Sequence, residues 1–132
     1  MNAFIIEAEN APGGIARVSE AIAAKGINIT SGACLASGER GVLGLLTNDE
    51  QGTRDALDAA GIRYKEIELI SVTIPDKPGA LADASRKLAD KGVNIELLVP
   101  TGMSAAGTVL ALGVDKTEAA REALGEAAAA RT

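Results

Sequence analysis

Residues 10–29 read NAPGGIARVSEAIAAKGINI, and residues 76–95 read DKPGALADASRKLADKGVNI. Pro12 returns as Pro78 and Asn28 as Asn94, each after the same step of 66 residues. At that step Gly13 falls on Gly79, Ile15 on Leu81, Ile22 on Leu88, Lys25 on Lys91 and Gly26 on Gly92. Chance seldom holds register over so many positions. The chain is therefore two copies of one supersecondary unit, and its fold has to be written twice.

Both copies share one internal pattern. In the first, AFIIEAE is a short β-rich run broken by Pro12-Gly13-Gly14. Ile15, Val18 and Ile22 then recur at helical spacing as far as Gly26, a helix-terminating position. INITSGACLA alternates as a strand, Gly38 to Gly41 form a turn, and VLGLLT returns as the second arm of a hairpin. EQGTRDALDAA gives a second helix ended by Gly61, and IRYKEIEL supplies a last strand with Ile62, Tyr64 and Ile67 as its spaced apolar positions. The order β-α-β-β-α-β is that of the ferredoxin-like unit, in which two helices cover one face of an antiparallel sheet.

The second copy repeats this order with ISVTIP, a helix from about Gly79 to Lys91, VNIELLVP, TVLALGV and a helix starting near Lys116. After Leu124 the chain reads GEAAAART, which is helical or frayed and holds no strand. The second copy is thus expected to lack a closing strand. Its first strand would be an open edge, or would pair with the strand ahead of it or with another chain. The expected organisation is α+β, with one ferredoxin-like unit at residues 1–68 and a second at residues 69–132.

Size explains why the copies are joined. A unit of roughly 60 residues buries only about 60% of the surface its unfolded chain exposes and is marginal alone, so the two are expected to share a sheet or pack their helices. The net charge of −5 argues against a nucleic-acid partner, which demands clustered Lys and Arg. Single-stranded RNA also needs aromatic platforms, and the chain offers only Phe4 and Tyr64. The start, MNAFIIEAEN, has no basic leader, and no segment is long enough to cross a membrane. The single cysteine, Cys34, has no internal disulfide partner, so the expected setting is a reducing cytoplasm with Cys34 as a small buried hydrophobe.

Catalytic chemistry has little to work with. The absence of histidine excludes histidine-based triads and histidine-containing zinc sites. Glu7, Glu9, Glu66 and Glu68 alternate along strands, as on a solvated sheet face. Arg17 and Asn48 would be the pair to nominate for acyl-phosphate hydrolysis, a use of this topology supported by fold analogy alone. The expectation is no catalytic residue, no metal and no cofactor.

The motifs PGGIARVSEAI with GINI, and PGALADASRKL with GVNI, resemble the helix start and following strand of ACT domains. That resemblance covers nearly the whole chain and implies a tandem of regulatory modules that bind a small amino acid where two units meet. Transferred residue by residue, it implies a ligand site formed in the first copy by Asn10, Ala11, Pro12, Gly13, Gly14 and Ile15 with Asn28 and Ile29. In the second copy it implies Asp76, Lys77, Pro78, Gly79, Ala80 and Leu81 with Asn94 and Ile95. A homodimer is expected, with an unidentified metabolic enzyme or regulator receiving the signal.

These residue types suit an amino acid. A helix N-terminus carries free N–H groups and partial positive charge, and glycine lets a ligand approach the backbone. Asn10 or Asp76 can accept a hydrogen bond from an ammonium group. Because Asn10 is neutral and Asp76 is anionic, the two sites are expected to differ in affinity. One helix end gives about 0.3–1 kcal/mol, up to ~2 kcal/mol when partly buried, whereas micromolar binding needs roughly 8 kcal/mol, so a partner unit must supply the rest.

Plainer roles exist for the same residues. Pro-Gly ahead of a helix is generically a strand-to-helix turn, Asn28 and Asn94 can serve nearby backbone, and Asp76 can cap its helix. The competing function is accordingly a structural module that dimerises through an open sheet edge and binds no metabolite.

Overall fold

The computed structural model describes residues 1–125. Ten elements follow one another through two compact units, one spanning Asn2–Ile67 and the other beginning at Glu68 and including Met1.

The first unit contains β1 (Asn2–Glu9), α1 (Gly14–Ala23), β2 (Ile29–Ser37), β3 (Arg40–Thr47) and α2 (Glu50–Ala59), and it reaches into β4 (Lys65–Ile74). β3 lies between β1 and β2, antiparallel to both. Register places Phe4 opposite Leu45 and Ile6 opposite Leu43, so alternation along each strand delivers these four side chains to one face. Val18 and Ile22 of α1 and Leu57 of α2 join them in a single core cluster. Phe4, Ile22 and Leu57 are fully buried, and each contributes about 1.5–3 kcal/mol relative to an exposed side chain.

The second unit pairs β4 with β6 (Gly107–Val114) and β6 with β5 (Ile95–Ser104), again antiparallel, and adds α3 (Ala80–Asp90) and α4 (Thr117–Leu124). Val72, Leu88, Leu112 and Ala120 occupy its core. The matched helix positions Ile22 and Leu88 are both fully buried, so the repeat in sequence is a repeat in packing. No strand follows α4 among the described residues; the expected alanine-rich helix falls largely on residues 126–132, outside them.

One boundary differs from the sequence reading. IRYKEIEL and ISVTIP, read as two strands, form the single strand β4 from Lys65 to Ile74, while Ile62 to Tyr64 precede it. The segment KEIELISVTI has no Gly, Pro, Asn or Asp, and Ser71 is the one residue in it with any turn tendency. Cys34 also departs from expectation, being exposed on β2.

Candidate ligand site at the first helix turn

At the end of β1 the chain bends through residues 10–13 into α1. Ala11 N donates to Glu9 O (2.9 Å), Gly14 N to Ala11 O (3.2 Å) and Arg17 N to Gly13 O (3.0 Å). The second copy repeats these three bonds one step of the repeat later: Lys77 N to Pro75 O (3.0 Å), Ala80 N to Lys77 O (3.3 Å) and Asp83 N to Gly79 O (2.9 Å). Both turns hinge on a glycine helix cap in the left-handed region, Gly13 at φ 92° and Gly79 at φ 87°. A residue with a Cβ adopts that conformation only at a cost of about 1–2 kcal/mol.

Neither helix start is capped by a side chain. Asp76 therefore does not play the capping role its position allowed. By contrast, α2 begins with an ordinary cap, the Asp49 carboxylate accepting from Gly52 N at 2.9 Å. The amide ends of α1 and α3 thus lack the side-chain acceptor that usually occupies such a terminus.

Several expected site residues have structural tasks. Asn10 donates from its side-chain amide to Gly38 O (2.8 Å) and from its backbone to Glu39 O (2.9 Å), fastening the turn to the β2–β3 hairpin. Its amide oxygen remains a possible acceptor. Ala11, Pro12, Gly13 and Ile15 are exposed, and Gly14 is partly covered. Asp76, Lys77, Pro78, Gly79 and Leu81 are exposed, whereas Ala80 is buried. Ile15 and Leu81, 49% and 47% exposed, leave matched aliphatic surfaces beside the two turns.

Asn28 and Asn94 sit elsewhere. Ile29 is opposite Thr47, whereas Ser37 and Glu9 are both opposite Arg40, so the start of β2 lies at the other end of the sheet from the turn. Within the first unit the turn and Asn28 therefore do not meet. Asn48 explains the position of Asn28: its Oδ1 accepts from Asn28 N (3.0 Å) while its own N–H donates to Asn28 O (3.1 Å). Asp115 does the same for Asn94, at 2.8 Å and 3.2 Å. Ile29 and Ile95 pack against the two cores. The nominated pair Arg17 and Asn48 is likewise divided between opposite ends of the sheet.

The first turn borders a cleft of about 420 Å³ whose rim includes Pro12, Gly13 and Gly14. Arg17 borders it beside an apolar wall that includes Val18 and Ile62, while Glu7 and Glu9 alternate with Phe4 and Ile6 and so turn their side chains to the other face of the sheet. Arg17 stands one helical turn beyond Gly13 and donates to Ala60 O at 3.3 Å. Sequence reasoning did not place it in this site. The available signal was its spacing, since a residue four beyond the cap sits above the helix start.

A family model for the ACT domain pair matches residues 1–128. The chain belongs to the ACT domain pair family. Among solved structures, this ACT pair is similar to a protein from Bacteroides thetaiotaomicron, with 22% identity and a TM-score of 0.79 over 95% of this chain and 86% of that one. It is also similar to the regulatory subunit of aspartate kinase from Thermus thermophilus (23% identity, TM-score 0.67, 96% and 91% covered). The corresponding subunit from Thermus flavus gives 21% identity and a TM-score of 0.65, with 96% and 92% covered. These likenesses establish the shared fold. No curated protein matches the chain. ACT domains are regulatory modules that commonly bind amino acids and form oligomers, and this pair contains two ferredoxin-like ACT units in tandem.

Proposed function

We propose that this ACT pair is a non-catalytic, cytoplasmic regulatory module that binds a small amino acid at the first turn and converts binding into a change of assembly or partner contacts. The observation that carries this reading is the cleft beside Pro12-Gly13-Gly14, where a helix start without a side-chain cap lies near the Arg17 guanidinium and an apolar wall. An amino acid presents a carboxylate to the amides and the guanidinium, and a side chain to the apolar wall. The Thermus relatives are regulatory subunits of aspartate kinase, which supports a regulatory role here with a separate metabolic enzyme or regulator as recipient.

Binding strength sets a further requirement. One helix start supplies ~2 kcal/mol at most, against roughly 8 kcal/mol for a micromolar ligand. An ACT unit from a second copy of the chain would close the cleft and exclude water, making a homodimer part of the site. Ligand binding would then favour the closed assembly, as linkage demands.

A thermal-shift screen of the twenty amino acids tests the reading. A ligand at 100 times its Kd stabilises the folded state by about 2.7 kcal/mol, so one or a few amino acids should raise the melting temperature. Twenty unchanged curves would contradict it and favour the second reading, dimerisation without a metabolite. That alternative has its own observation. β2 is nine residues long, carries no charged side chain and exposes Leu35 to 79%, an edge without the lysines or prolines that usually discourage strand pairing.

A further inference from the structure

We infer that the two outer strands have diverged: β2 pairs antiparallel with β2 of a second copy, whereas Glu96, Pro100 and a bulge close β5, so that edge pairing stops at a two-fold dimer. This rests on the dimerisation reading above and adds the strand used, its orientation and the device that limits it.

β2 and β5 occupy the same place in their units, each bonded to the middle strand of a hairpin. Cys34 stands opposite Leu43 as Pro100 stands opposite Leu110. At the 66-residue step Thr30 becomes Glu96 and Cys34 becomes Pro100. Both changes put a strand-pairing deterrent, a charge or a proline, where the first copy has none. The register of β5 also slips between Pro100 and Gly102, and a bulge interrupts the regular ladder a further strand would need. Edges and bulges are the places where a strand admits proline, and a proline gives an incoming strand no N–H donor.

β2 keeps the opposite character. Its register is unbroken from Gly32 to Ser37, and all six residues are exposed. Ser37 and Arg40 flank a two-residue turn, so Ser37, Leu35 and Ala33 bond to β3 while Ala36, Cys34 and Gly32 turn their N–H and C=O groups outward. The matched change from Cys34 to Pro100 therefore falls on a position whose N–H serves the outer side.

Charge selects a second copy, and its direction. The uncharged β2 offers nothing that repels another β2. Antiparallel pairing lays the end of each strand alongside the start of the other, where exposed Glu39 and exposed Lys25 carry opposite charges. Arg40, next to Glu39, is engaged by Glu7 at 3.5 Å. In the second copy Lys25 returns as Lys91, but Glu39 becomes Ala105, so the complementary pair is lost along with the open edge. A two-fold contact of this kind uses the same strand from both partners and leaves nothing to extend, whereas two open edges per chain would give open-ended assemblies.

Sedimentation velocity of the full chain over a concentration series tests this. Wild type should show monomer and dimer and no larger species. Glu96→Thr combined with Pro100→Thr should add species larger than the dimer that grow with concentration. Cys34→Pro should remove the dimer while the far-ultraviolet circular dichroism stays that of the wild type. Should that variant fail to fold, the surface charges decide: Glu39→Lys should weaken the dimer several-fold, the scale of two symmetry-related exposed ion pairs, and adding Lys25→Glu should restore it. A wild type that is monomeric throughout would overturn both the inference and the dimerisation reading. A dimer that survives Cys34→Pro, a dimer indifferent to Glu39→Lys, or a Glu96→Thr, Pro100→Thr chain that stops at the dimer would overturn the inference while leaving dimerisation intact.

Discussion

Arg54 grips both carboxylate oxygens of Glu66, Nε to Oε2 at 2.8 Å and Nη2 to Oε1 at 2.7 Å, tying α2 to the start of β4. The side-chain amide of Asn2 donates to the same carboxylate at 3.1 Å. The hydrogen bond from Arg54 holds the Glu66 carboxyl below its usual range, partial burial works against this, and Asn2 adds to the lowering. A carboxylate with a depressed folded-state pKa stabilises the fold above its unfolded pKa and loses that contribution as pH falls through the folded value. Wild type should therefore exceed Glu66→Gln in stability at neutral pH, and the gap should close on acidification below about pH 4. Parallel urea titrations at stepped pH check this; a gap that widens in acid would contradict it.

Thr53 is the buried polar residue among the described positions, at 0% exposure. Its hydroxyl donates to Asp49 O at 2.7 Å and meets the Thr47 hydroxyl at 2.7 Å. Thr53→Val keeps the volume and removes both bonds. It should destabilise the protein by about 1–3 kcal/mol, measured by denaturant unfolding. Thr53→Ser, which retains the hydroxyl, should recover the polar part of that loss.

The residues that begin β2 and β5 are held by side chains ahead of α2 and α4, Asn48 for Asn28 and Asp115 for Asn94. Asn48→Ala and Asp115→Ala should each cost about 0.5–1.5 kcal/mol. Hydrogen exchange gives the sharper readout. The Asn28 amide should exchange faster in Asn48→Ala alone, and the Asn94 amide faster in Asp115→Ala alone, because each bond lies within its own unit.

Cys34 is exposed on β2, so it should react with a thiol reagent in native buffer as readily as after unfolding. Pairing of β2 with another chain would slow that reaction in proportion to protein concentration. The comparison at low and high concentration reads out the dimerisation alternative, and Leu35→Lys should abolish any such protection.

Much of the fold was written in the repeat. Ile15, Val18 and Ile22 at helical spacing gave α1, and the runs AFIIEAE and VLGLLT gave strands, whereas which of their side chains meet in the core, Phe4 and Ile6 with Leu43 and Leu45, came from the register. β4 was harder, because two copies imply two strands and only the lack of Gly, Pro, Asn and Asp between Lys65 and Ile74 argues for one. Cys34 was misplaced for a related reason. Composition marks cysteine as a core residue, but β2 exposes most of its length, and strand position within a sheet is not encoded locally. Glu66 looked solvated because its partner, Arg54, is distant by pattern and near only once α2 packs.

The site was half legible. Pro12, Gly13 and their repeats announced a bend with open N–H groups, whereas Asn28 and Asn94 recur for backbone reasons that Asn48 and Asp115 now account for. Arg17 was nominated with Asn48 for phosphate chemistry rather than placed beside the turn, because its position one helical turn beyond Gly13 counts only once α1 is formed.

The most direct measurement is a crystal structure of the full chain grown with the amino acid that stabilises it most. The account predicts that ligand in the first cleft, beside Gly13, with its carboxylate against the amides at the start of α1. A saturated crystal with the first cleft empty, or the ligand held at the second turn instead, would contradict it.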